Sequence, residues 1–387
     1  MTLGCPHWVS LSAAWMVGCV AAAATPTPAA QTPPAAGEAP AEFVSQGASA
    51  QLPPKLGEAE RERFMSSATD PPAAELGGIS DALEGKHYPT SNEQALHRFQ
   101  PYLEGLGGGY VGVGTDQAYL FIGWQRPQLA WLFDYDPVVS DVHRIYMAFL
   151  RKAENPDAFL ALWTATERKN ARAILDASCA EEDRSRVRET YSQYRTEIKR
   201  RLFKVAEQHR ELGVKSFLTD QAQYDYVVAL VRAGRVRPMV GDLTAKRGLV
   251  GIGEVSRELG VPVRALYMSN AEEYFRQSGY SEQFKKNARA VLGDGRSLVL
   301  RTLSTYPQNQ DYLYAVQPGP NFLTWLERPW LRNVFQIAPR PKRTPEEIEA
   351  DRYPVQLIDH APEESRAAKR AAREAGDDGK LASQPSP

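Results

Sequence analysis

Residues 107–136, GGGYVGVGTDQAYLFIGWQRPQLAWLFDYD, constrain the fold more than any other part of the chain. They read as strand, glycine turn, short helix, second strand and acid. An apolar strand over residues 110–113 runs into Gly112 and Gly114. Thr115 and Asp116 open a helix. A second strand over residues 129–133 ends at Asp134, 20 residues after Gly114. Glycines at a strand end let backbone approach a ligand, and a helix N-terminus offers free N–H groups. An acid at the tip of the second strand can accept hydrogen bonds from ribose hydroxyls. The residues therefore predict a nucleotide-type site. A Gly-rich turn in an ordinary α/β unit would read the same way locally.

Three more strand-like runs follow, each near a polar residue. Residues 237–243 (RPMVGDL) contain Asp242. Residues 263–274 (VRALYMSNAEEY) place Ser269 and Asn270 after an apolar run, and residues 297–304 (SLVLRTLS) are rich in Leu and Val. Helical patterns separate these runs. The alternation predicts an α/β fold, Rossmann-like and doubly wound, with a mostly parallel sheet covered on both faces. Ligands of such sheets sit beyond the carboxyl ends of the strands. Gly112, Gly114, Asp134, Asp242 and Asn270 all fall at such ends.

The series resembles the class I S-adenosylmethionine-dependent methyltransferase fold. More closely, it resembles a poorly characterised bacterial family with that fold, marked by GVGTDQ, FDYDP, GDL and the SNAEEY run; the resemblance covers roughly residues 91–317. It implies S-adenosylmethionine as cofactor, with Gly112, Gly114 and Thr115 cradling the methionine part. It implies Asp134 at the ribose, Asp242 at the adenine amine and Asn270 beside the reaction centre. Two positions depart from the usual motif. Tyr110 stands where an acid is expected, and Asp116 stands in place of a third glycine. Asp116 either takes over the missing carboxylate's role near the ligand's amine or blocks the site.

Between residues 140 and 235 the pattern is helical for about ninety residues, with apolar spacing over 142–150, 159–175, 184–212 and 221–231. One crossover helix would suffice there. The excess predicts a helical insertion after the second strand, lying over the cleft or covering core. Tyr191, Tyr194, Tyr224 and Tyr226 within it read as packing residues or as pocket lining. Residues 91–106 predict a helix before the first strand, with Ser91 and Gln94 at capping-box positions. Asp136 before Pro137 has the form of a helix N-cap with proline at the first helical position. Ligand binding is therefore assigned to Asp134 instead. His143, in the first turns of that helix, faces the cleft, or lies exposed or at the edge of the core.

The ends of the chain differ in character from its middle. Residues 1–24 resemble an export signal, with 17 uncharged residues over 8–24 but no Lys or Arg before them. Cys19 ends a lipobox-like MVGC, which predicts a lipid-anchored N-terminus. Ala22, Ala23 and Ala24 offer an ordinary cleavage site instead, and an uncleaved start is a third reading. The Pro/Ala-rich residues 25–54 predict a semi-extended linker. By the resemblance, residues 55–340 are expected to form the methyltransferase-like domain, and the charged residues 341–387 predict a solvated tail. These features predict an exported protein of the cell envelope. The formal charge of −1 gives no electrostatic reason to expect nucleic acid or an anionic membrane as partner. The membrane enters only through the lipid anchor. Cys179 stands alone beyond the signal, so the mature domain has no internal disulfide, and a small residue inside the fold is the expectation for it. The six histidines show no metal-binding spacing.

Three functional readings follow. The first is a methyltransferase-like domain that binds S-adenosylmethionine and transfers methyl to an unknown small acceptor. Asn270, Glu272 and Glu273 are then the candidates to orient or deprotonate the nucleophile. The second is an exported, non-catalytic binding module on a degenerate methyltransferase scaffold, since export leaves the cytoplasmic cofactor supply behind. The third is a dinucleotide oxidoreductase, weakened because Gln117 stands where GxGxxG needs its last glycine. Fold likeness alone does not choose between transfer and binding.

Overall fold

The computed structural model describes residues 54–77, 83–276, 279–305, 312–339 and 355–365, with the single positions 346 and 370. Helix α1 (Glu58–Met65) and α2 (Gln100–Leu103) precede the sheet. Then come β1 (Gly109–Gly112), α3 (Asp116–Gln125), β2 (Leu129–Asp134) and five helices in succession. These are α4 (Pro137–Lys152), α5 (Pro156–Ala161), α6 (Arg168–Ser178), α7 (Glu181–Glu211) and α8 (Gln221–Arg232). Alternation resumes with β3 (Val236–Val240), α9 (Gly248–Glu258), β4 (Val263–Ser269), α10 (Glu282–Val291) and β5 (Leu298–Ser304). The last elements are β6 (Tyr312–Pro318), α11 (Gly319–Leu326), α12 (Val334–Ile337) and the two-residue β7 (Gln356–Leu357).

The strands form one sheet in the order β3-β2-β1-β4-β5-β6-β7. The first five are parallel; β6 runs antiparallel to β5, and β7 runs parallel to β6. The predicted doubly wound α/β architecture is therefore present. The order reverses at β1, which lies between β2 and β4, so the crevice for a ligand opens there.

Side-chain alternation along the strands builds two cores. Tyr110, Leu132, Tyr267 and Leu300 point to one face, with α3, α4 and the helices after them. Val111, Trp131, Leu266 and Val299 point to the other, against α9, α10 and α11. Both faces are covered, so the strands are apolar nearly throughout, as LAWLFD in β2 shows. Every residue of α3 is buried. It lies between the sheet and α8, which explains why its sequence lacks a polar face.

Two expectations need correction. The helix expected over residues 91–106 is only a 3-10 turn at Leu96–Phe99 followed by α2. Its predicted cap is spent otherwise: the Ser91 N–H donates to Asp116 Oδ1 at 2.7 Å, and the Ser91 hydroxyl donates to Glu93 Oε2 at 2.5 Å. The first of these ties the segment to the start of α3, and the second closes a local turn that also takes the Glu93 N–H. The helical insertion exists, but it does not roof the cleft. Helix α4 packs on β2 and β3 beside α3, α8 packs on α3 and α4, and α6 and α7 pack on α4 and on each other, thickening one face of the sheet. Tyr191, Tyr224 and Tyr226 are buried in that layer, as packing residues, and Tyr194 is half-buried. Cys179 is half-buried where α6 ends. Among the described residues no helix is long and apolar enough to cross a membrane. The signal-like segment, Cys19, all of the linker but Pro54 and most of the charged tail lie outside the described residues. Where that tail is described it departs from the solvated expectation: Gln356 and Leu357 pair with β6 as β7 and Ile358 is buried, because the largely apolar run VQLI adds to the sheet edge.

Candidate functional site

The glycine turn is held from below by two side chains. The Gly114 N–H donates to Asp134 Oδ2 at 2.8 Å, and the Asp136 N–H donates to Asp134 Oδ1 at 3.0 Å. Burial pushes the Asp134 carboxyl up to about 6, and these backbone bonds oppose the shift. Under the same turn, His143 Nε2 lies 2.8 Å from the Gly114 carbonyl, and Nδ1 lies 3.2 Å from the Tyr119 hydroxyl. A carbonyl only accepts, so Nε2 carries the proton and Nδ1 accepts from Tyr119. Burial holds His143 down at about 4, so the ring is neutral. His143 is fully buried: it neither faces the cleft nor sits exposed, but props the glycine turn from the core.

The two glycines do different work. Gly114 has φ +84°, and a Cβ there would lie 1.9 Å from Gln117 Nε2. The side chain of Gln117 thus folds back against the turn, where its Oε1 accepts from the Thr115 N–H at 3.0 Å. At Gly112 a Cβ would lie 2.0 Å from the hydroxyl of Tyr110. Gly112 therefore makes room for that phenol, and it does not border the cavity described below. Its expected contact with the cofactor is not what the structure displays.

Asp116 is also displaced from its expected role. Its Oδ2 accepts from Arg201 Nε at 2.8 Å, and both side chains are more than nine-tenths buried. Its Oδ1 takes the Ser91 N–H. Asp116 thus joins the loop, α7 and the segment upstream of the sheet. It neither blocks the cavity nor lines it.

Thr115, Asp134, Asp242 and Asn270 do converge with Gly114 on one cavity of about 450 Å³, beyond the carboxyl ends of β1 to β4. Asp242 accepts from the Thr244 N–H at 2.7 Å and the Thr244 hydroxyl at 2.8 Å, all through Oδ1. Its loop is fixed by Asp70, which accepts from the N–H groups of Arg247 and Gly248, each at 3.0 Å, where α9 begins. Asn270 follows Ser269, whose φ of +51° and register shift against β5 turn the chain out of β4. Asp136 caps α4, accepting from the Val138 N–H at 2.9 Å, as its sequence context predicts. Its other oxygen holds His87 Nδ1 at 2.9 Å.

The two candidate bases do not reach this cavity. Glu272 is fully buried and paired with Arg301 at 2.6 Å, with the Tyr280 hydroxyl donating to it at 2.7 Å. Glu273 accepts from the Ser304 hydroxyl at 2.9 Å and from the Ser304 N–H. Both carboxylates point into the protein, since the 3-10 turn Ala271–Arg276 packs them beneath β5.

Residues that spacing could not reveal complete the site. Lys86, Tyr88, Ser91 and Glu93, from the segment upstream of β1, border the cavity, as do Tyr135, Tyr274 and Tyr312. Tyr88 and Tyr274 share a hydrogen bond. Burial pushes Tyr135 up to about 12 and raises Tyr88, Tyr274 and Tyr312 as well, so these phenols stay neutral. Among the described residues, the four carboxylates Glu93, Asp134, Asp136 and Asp242 border the space together with one ammonium, that of Lys86. Such a lining suits a ligand with a cationic group and flat rings. Among the described residues no group of three His, Cys, Asp or Glu side chains is placed to hold a metal ion. No residue of the insertion between 140 and 235, among those described, borders the cavity.

Residues 88–350, more than half of the chain, match the family described as Domain of unknown function (DUF7790). The chain belongs to that family. No curated protein matches it.

Proposed function

We propose that this cavity binds S-adenosylmethionine or S-adenosylhomocysteine, and that the protein is methyltransferase-like, with transfer to a small acceptor. The observation that carries this reading is the convergence of Gly114, Thr115, Asp134, Asp242 and Asn270 at the point where the strand order reverses. Gly114 and Thr115 would meet the sulfur-bearing chain of the ligand. Asp134 would accept from the ribose hydroxyls and Asp242 from the adenine amine. Asn270 would orient the acceptor, while the cofactor would supply an electrophilic methyl group. The tyrosine-lined side of the cavity leaves room for a flat or cationic acceptor.

A specific observation favours a second reading, binding without transfer. The inward pairing of Glu272 and Glu273 removes both expected bases from the cavity. Titration calorimetry with S-adenosylmethionine, S-adenosylhomocysteine and NAD tests the assignment. Saturable binding of the first two alone supports it, and binding of NAD alone, or of none, rejects it. Release of S-adenosylhomocysteine above a Gly114→Val control, in the presence of cell-envelope and cytosolic extracts, then separates transfer from binding. We further propose export to the cell envelope, with Cys19 as lipidated N-terminus and residues 25–54 as tether.

A further inference from the structure

Glu93 is a buried carboxylate at the cavity wall, 1% exposed. Four hydroxyls converge on it. Those of Tyr267, Ser269 (2.8 Å) and Thr302 (2.6 Å) donate to Oε1, and that of Ser91 (2.5 Å) donates to Oε2. Among the described residues no cation makes an ion pair with it. The nearby guanidinium of Arg201 is bonded to Asp116 instead. Burying a carboxylate is costly unless a cation compensates it. Residues of β4, β5 and the upstream segment nonetheless assemble hydroxyls around this one.

The arrangement also selects the kind of cation. A carboxylate offers about four acceptor positions. Oε1 is saturated by its three donors, whereas Oε2 has one donor and room for another. The paired, fork-like bonding in which a guanidinium is favoured would take both oxygens. An ammonium needs one, and Ser269, Asn92 and Gln117 border the same space for its other hydrogens. Tyr110, the nearest candidate on β1, offers no charge: its phenol is fully buried, and its hydroxyl has no hydrogen-bond partner among the described residues.

We propose that Glu93 is the anchor for a ligand ammonium group, delivered to the cavity by the segment upstream of β1. Resting on the S-adenosyl reading, the inference assigns the α-amino group of the ligand to Glu93 and not to Asp116. The ligand's amino end then bonds to the covering segment, while ribose and adenine bond to the sheet loops.

Methylthioadenosine, which keeps adenine, ribose and thioether but lacks the amino acid, separates the two claims. Calorimetry is performed with S-adenosylhomocysteine and methylthioadenosine on the full chain and on its Glu93→Gln variant. Glu93→Gln should weaken S-adenosylhomocysteine by roughly 10- to 100-fold and leave methylthioadenosine within about threefold. On the unaltered protein, the S-adenosylhomocysteine analogue bearing a keto oxygen in place of the amine should show a similar loss, a comparison that does not depend on the variant folding. Equal losses for both ligands in the variant, or full affinity for the keto analogue, overturn the role of Glu93 while the S-adenosyl reading stands. Failure of both parent ligands to bind the unaltered protein rejects the reading and the anchor together.

Discussion

At the scale of single residues, the site depends on two buried titratable groups beneath Gly114. Asp134 has its carboxyl raised to about 6, chiefly by burial. A carboxylate accepts hydroxyl donors best when ionised. Ligand affinity should therefore be full above pH 6 and fall as the pH drops through that value, as calorimetry across pH 5 to 8 will read. Asp134→Ala should weaken binding by roughly 1.5–3 kcal/mol. Asp136→Ala should instead cost about 1 kcal/mol of stability through the lost cap of α4. The opposite pattern would reverse the assignment of the two acids. His143 behaves differently. Burial holds it down at about 4, below the ordinary imidazole value of about 6.5. Its contribution is complete above pH 6.5 and is lost as the pH falls from there toward 4, because the unfolded chain takes up the proton first. Denaturant unfolding at pH 7.5 and pH 5 should show His143→Gln losing about 2 kcal/mol less than the unaltered protein between the two conditions. Equal losses would mean that the ring is already protonated inside the fold.

At the scale of elements, caps and loops come from distant sequence. Helix α9 begins after Arg247, whose side chain caps nothing. Asp70 supplies the acceptor instead, from a segment 177 residues upstream, and its Oδ2 also lies 3.3 Å from the Asp242 N–H. Asp70→Ala should cost roughly 1–2 kcal/mol in thermal or denaturant unfolding, the usual scale for a lost N-cap. Because the same carboxylate fixes the Asp242 loop, ligand affinity should fall as well. Unchanged affinity at reduced stability would limit Asp70 to the helix. Local sequence made the Asp136 cap legible, because Asp-Pro carries its own signature. It did not make Asp70 legible, because a cap supplied across the fold leaves no mark near the helix it serves.

At the scale of the whole molecule, the upstream segment and the insertion exchange their expected roles. The insertion was the natural candidate to cover the cleft, yet it thickens one face of the sheet. The short stretch that carries Lys86, Tyr88 and Glu93 borders the cavity instead. The proposed export adds one outcome to check. Cells given a fatty-acid analogue should label the native protein and leave Cys19→Ala unlabelled, since the anchor forms only at that cysteine. Label that persists in the variant, or is absent from the native protein, would remove the anchor.

The sequence by itself determined the α/β class, the alternation of strands and helices, and the place of Gly114, Asp134, Asp242 and Asn270 at strand ends. Hydrophobic period and glycine position are local properties, so they survive in a linear reading. Only the tertiary structure decided which side chains share the cavity. It turned Glu272 and Glu273 inward toward Tyr280, Arg301 and Ser304, and it tied Asp116 to Arg201, 85 residues away. It also brought Glu93 to hydroxyls on β4 and β5, 174 to 209 residues distant. The physical reason is that a carboxylate's role depends on the donors and cations it meets in the fold, and those partners come from parts of the chain that no spacing rule connects.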